Sequence, residues 1–109
     1  MAAEARRRTD DSVQPSAPLE RTAAETLART LRAVADPTRL QLLSMIAGAP
    51  EEEATVGDLA ATLGLSQPTV THHLRILVED GVLAREQRGK YVWHTLAPER
   101  RSAIIDLLR

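Results

Sequence analysis

Apolar positions recur at helical spacing along most of this chain, and prolines and glycines cut the pattern into short segments. Ala24, Leu27, Leu31 and Val34 share one face of a helix expected from Leu19 to Ala35. Asp36-Pro37 ends it and starts the next, with Asp36 as N-cap and Pro37 at the first helical position. Leu40, Leu43 and Ile46 carry the second helix, which stops around Gly48. A third, short helix opens at Thr55-Val56-Gly57-Asp58, where Thr55 and Asp58 make a variant capping box. Leu59, Ala60 and Leu63 form its stripe, and Gly64 ends it.

The fourth helix lies within Ser66 to Gly81, SQPTVTHHLRILVEDG. Ser66 is a strong N-cap type, Pro68 suits a first turn, and Gly81 supplies a left-handed stop. Val70, Leu74 and Leu77 fall on one side, within about 60° of each other at ~100° per residue. Beyond it, Val82 to Gln87 and Tyr91 to Leu96 read as two strands joined at Arg88-Gly89-Lys90. Pro98 then opens a final helix with Ile104, Leu107 and Leu108 as its apolar stripe. The order α-α-α-α-β-β-α is mainly helical with one small hairpin. Two short helices joined by Gly64-Leu65-Ser66 and followed by a hairpin make a winged helix-turn-helix. Residues 1–18 are polar, with Arg6-Arg7-Arg8, Asp10-Asp11 and two prolines, and read as a disordered tail before a domain over 19–109.

The outward side of the fourth helix carries Pro68, Thr69, His72 and Arg75, with Gln67 and Thr71 on its flanks. Compact hydrogen-bonding groups plus one arginine are what base edges and phosphates in a major groove require. Ile76 is the exception on that side and needs cover. A plain solvated helix is the competing reading of this face alone; the helix before it and the hairpin after it favour DNA. Arg88 and Lys90 at the hairpin tip would place cations over flanking backbone or minor groove.

Composition narrows the picture. Net charge is -1, with 14 basic residues against 15 acidic, so phosphate neutralisation outside a specific site should be weak. Glu51, Glu52 and Glu53 are expected away from the reading helix, with Arg75, Arg85, Arg88 and Lys90 on or near it. There is no cysteine, hence no disulfide, thiolate ligand or thiol switch, which fits a cytoplasmic protein. No apolar run approaches the roughly 20 residues that span a bilayer, and no apolar stretch follows the N-terminal arginines as in a secretory signal. No nucleophile–base set, Gly-rich phosphate loop or chelating cluster points to an enzyme. Stripes on the first and last helices, at Leu27/Leu31 and Ile104/Leu108, would be partly stranded on one copy. A symmetric homodimer through these helices covers them and presents two reading helices to the half-sites of a palindromic operator.

Over roughly residues 20–109 the chain resembles the ArsR/SmtB family of bacterial winged-helix regulators. The resemblance rests on LRAVADPTRLQLLSMI, on DLAATLGLSQPTVTHHLRILVEDGVLAREQRGKYVWHTL, and on their separation. It implies a homodimer on an operator, a repressor by family habit with an activator still possible, and an effector that alters affinity for DNA. It also implies that Ser66, Gln67, Thr69, Thr71, His72 and Arg75 sit at DNA-reading positions and Arg88 and Lys90 at the wing.

Departures from the family bear on sensing. Where many members carry Cys-Val-Cys at the start of the third helix, this chain has Thr55-Val56-Gly57, which excludes soft-metal sensing there. The last helix offers Asp106, with Glu99 just before it, but no histidine for the zinc pairs of other members. His72 and His73 are adjacent and point about 100° apart, so they do not chelate together; His72 reads as DNA-facing and His73 as a packing or backbone-bonding flank. His94 reads as a half-buried strand residue. The one metal set to propose is His94 with Glu99 or Asp106, drawn from one or both subunits, whose donors favour Ni(II) or Zn(II). The rival reading is a winged-helix interaction module that senses its signal through a partner subunit.

Overall fold

A computed structural model describes residues 17–109; the expected tail lies almost wholly outside the described residues. Helix α1 spans Arg21–Val34, starting two residues later than expected. Only Ala33 and Val34 of it are buried, so its last turn alone touches the core. Ala35 precedes the Asp36-Pro37 pair, and the Asp36 carboxylate accepts the Arg39 backbone N–H at 3.0 Å to cap α2, Pro37–Gly48. That hydrogen bond holds the Asp36 carboxyl below its ordinary pKa. Leu42, Leu43 and Ile46 of α2 are fully buried, each contributing ~1.5–3 kcal/mol.

A 3-10 turn at Pro50–Glu52 leads into an unexpected strand, β1, Glu53–Thr55. Glu51 and Glu52 take left-handed φ values of 59° and 54° to redirect the chain. Helix α3, Val56–Leu63, is capped by Thr55 Oγ1 accepting the Asp58 N–H at 3.2 Å and closed by Gly64 at φ 69°. Helix α4, Gln67–Glu79, buries Val70, Leu74 and Leu77. Its C-terminus forms a complete Schellman motif. Gly81 N–H bonds Val78 C=O at 3.1 Å, Val82 N–H bonds Leu77 C=O at 2.8 Å, and Gly81 has φ 75°.

Strands β2, Leu83–Arg88, and β3, Tyr91–Leu96, form the hairpin, with Gly89 at φ 61°. The sheet order is β1-β3-β2, all antiparallel, with Arg85 and Ala54 both opposite His94. The sheet is thus three-stranded rather than a lone hairpin. One face of its base, with Ala54, Leu83 and Leu96, packs on the helices, and β2 is exposed from Arg85 onward. Pro98 opens a 3-10 turn, Pro98–Arg100, and α5 follows at Arg101–Leu107.

Two expectations are corrected here. Ile104 is only 3% exposed and packs in its own chain's core, because α5 folds back on that core; it is not free for a second copy. Leu108 is partly buried against the same cluster, and Leu107 is the exposed apolar residue of α5. Ile76, by contrast, finds its cover by packing against the core.

Candidate nucleic-acid interface

Helix α4 presents two sides that differ as the sequence pattern requires. Opposite its buried stripe, Pro68, Thr69, His72 and Arg75 are exposed; Ser66 and Gln67 are exposed at the helix start, and Thr71 is half-buried on the side facing the hairpin. The Ser66 hydroxyl is already engaged: its oxygen accepts the Thr69 N–H at 3.3 Å, and it donates to Thr69 Oγ1 at 2.9 Å. Ser66 therefore organises the helix start, and Thr69 is left with a hydroxyl proton to offer outward. Among the described residues Arg75 has no carboxylate within 4.0 Å, so its guanidinium is free for a phosphate or a guanine edge.

His72 is exposed, with its ring 5.7 Å from that of His73. His73 turns inward: its Nδ1 lies 3.3 Å from Arg39 Nη1 and 3.9 Å from Asp36 Oδ2. Arg39 also donates through Nε to the Ala33 carbonyl. The junction of α1 and α2 is thereby fastened to α4, a tie that sequence spacing alone does not show.

At the wing the two expected cations part company. Arg88 Nη2 lies 2.6 Å from Glu53 and 2.7 Å from Glu86, with its Cζ 5.2 Å from the Trp93 ring centroid. Those carboxylates raise the Arg88 pKa further above its ordinary value, and Arg88 in turn lowers that of Glu53. The acidic cluster is thus not remote from the wing, because β1 pairs with β3 and brings Glu53 to the same sheet face as Arg88. Lys90 is the free charge at the tip: exposed, 5.5 Å from the Tyr91 ring centroid, and unpaired among the described residues.

Within one chain the metal set is not assembled. Among the described residues no three His, Cys, Asp or Glu side chains gather as a metal site. His94 is buried in the sheet, whereas Glu99 and Asp106 are exposed on the 3-10 turn and α5. Burial and the neighbouring Arg85 push the His94 pKa down to about 4.

Residues 36–85 match the profile of the bacterial regulatory protein, arsR family. The HTH-type transcriptional regulator NmtR of Mycobacterium tuberculosis is 34% identical over 93 residues, 85% of this chain and 75% of that protein. The chain belongs to the arsR family. Among solved structures, HlyU from Vibrio cholerae N16961 superposes with a TM-score of 0.71 at 33% identity, covering 83% of this chain and 94% of that one. The homodimeric winged helix-turn-helix DNA-binding domain of Mb0332 from Mycobacterium bovis gives 0.68 at 25% identity, covering 86% and 83%. This arsR-family chain is a DNA-binding transcriptional regulator of winged helix-turn-helix architecture. Helix α4 lies within the matched span.

Proposed function

We propose that the protein works in the cytoplasm as a homodimeric, non-enzymatic regulator that reads a palindromic operator. The observation that carries this is the free polar face of α4: Gln67, Thr69, His72 and Arg75 stand exposed on a helix whose other side is fully buried. Thr71 flanks that face, Ser66 sets its start, and Lys90 supplies a phosphate contact beside it, with Arg88 held in reserve by its carboxylates. Leu27 and Leu31 are about half exposed along α1, and Leu107 is similarly exposed on α5. These residues make the second copy's contact, and the homodimeric state of the similar Mb0332 domain supports a dimer. With a net charge of -1, one domain has little non-specific hold on DNA, and pairing two reading helices offsets that weakness.

Fluorescence anisotropy with duplexes tiled across the DNA upstream of its own coding sequence tests this reading. One palindromic segment should be bound as two protomers, at least about a thousandfold tighter than scrambled DNA. Equal affinity for every duplex would overturn it.

A further inference from the structure

A cleft of ≈ 320 Å³ separates the reading helix from the hairpin. Thr71 and Arg75 of α4 face Arg85 of β2 and His94 of β3 across it. Its apolar lining comes from Val56, Leu74, Val78 and Val92. His94 is only 4% exposed, yet its Nδ1 has no hydrogen-bond partner. A buried polar atom left alone costs ~1–3 kcal/mol, so its persistence calls for a partner. Among the described residues neither Arg75 nor Arg85 has a carboxylate within 4.0 Å, and Glu79, which also lines the cleft, pairs with neither. With the imidazole neutral, the lining holds two positive charges against one negative.

We propose that this cleft is an effector site for a small organic carboxylate with a compact apolar body. The guanidiniums of Arg75 and Arg85 take the carboxylate, the valines hold the body, and the buried His94 ring walls the cleft beneath them. Guanidinium–carboxylate contacts are among the strongest charge-assisted hydrogen bonds. The volume lies at the small end of ligand pockets, which suits a single ring or a short branched chain. Because α4 walls the cleft on one side and the hairpin on the other, occupancy fixes the spacing of the two DNA-contacting elements. That regulatory half rests on the function proposed above; the binding half does not.

Benzoate is the probe, and benzamidine, a cation of the same shape, is its control. In calorimetry on the full chain without DNA, benzoate binds and benzamidine does not. Arg85→Gln weakens benzoate by about tenfold or more, the loss of one charge-assisted contact. Val92→Trp fills the cleft, leaves every charge in place, and abolishes binding. A second measurement uses the wild type alone: the His94 Nδ1 resonance in ¹⁵N NMR moves as benzoate is added. No binding of millimolar benzoate, equal binding of benzamidine, benzoate affinity indifferent to both substitutions, or an unmoved His94 signal would each overturn the site. An operator titration with and without benzoate then tests the effector role. A shift in affinity is expected; unchanged affinity overturns regulation while leaving the site, and no operator binding at all overturns the proposed function instead.

Discussion

Ser66 and Gln67 are neighbours with different duties. The Ser66 oxygen caps α4 before any DNA arrives, so Ser66→Ala should cost ~1 kcal/mol of fold stability, read from the urea midpoint. Gln67 is exposed, so Gln67→Ala should leave that midpoint in place and relax sequence preference by ~1–3 kcal/mol in competition binding. The wing cations divide similarly. Lys90→Ala should weaken all DNA comparably and flatten the salt slope by about one unit. Arg88→Ala, already neutralised by Glu53 and Glu86, should leave the slope near wild type and instead shift Trp93 emission. His94 supplies a pH signature. Its folded pKa of about 4 lies below the 6.5 of the free residue, so the unfolded chain takes up a proton that the folded chain refuses. Stability is therefore fully present above pH 6.5 and falls as pH drops toward 4. From pH 7 to 5 the loss should be about 2 kcal/mol, and His94→Leu should flatten that profile in urea titrations. The exposed face of α4 was legible because helical periodicity fixes which side chains share a side. The Glu53–Arg88 pair was not, since strand pairing between residues so distant in sequence sets it.

Among the elements, α1 is the one its own chain does not hold. Fourteen residues make a helix that is marginal alone in water, and only Ala33 and Val34 are buried. A second copy against Leu27 and Leu31 would stabilise the rest. Leu27→Asp with Leu31→Asp should therefore give a species of about the 11.9 kDa chain mass in sedimentation and faster amide exchange along α1. An unchanged dimer would place the interface elsewhere. The caps of α2, α3 and α4 were readable because Asp36, Thr55 and Ser66 act within three residues of themselves. Strand β1 escaped notice for the opposite reason. Three residues carry no usable alternation, and only the hydrogen-bonding edge of β3 makes Glu53–Thr55 a strand. Ile104 was misassigned because a helical stripe shows an apolar face without showing what meets it.

At the scale of the molecule, composition rules out one class of signal. The sequence has no cysteine, so arsenite, alkylators and disulfide-forming oxidants should leave operator binding unchanged in anisotropy titrations. A loss of binding on mild arsenite treatment would expose a ligand set made of other residues. The helix order and the winged architecture were readable from turn residues and periodicity together. How the terminal helices divide between the chain's own core and a second copy was not, since that depends on where α5 folds back.

The joint between α4 and β2 has a consequence for how such a chain can change over time. Only Asp80, Gly81 and Val82 separate the helix from the strand, and backbone hydrogen bonds from Gly81 to Val78 and from Val82 to Leu77 close the helix end. The chain's turn out of α4 is therefore set by the backbone itself, independent of the side chains on the helix's exposed face. Reading residues can be exchanged for others, giving new operator preferences, while the aim of the helix is inherited intact. An inserted residue in this joint would re-aim every contact at once, whereas one at Gly89-Lys90 would only lengthen the tip. Length variation among chains built on this plan should accordingly gather at the hairpin tip and be absent from the three residues after Glu79.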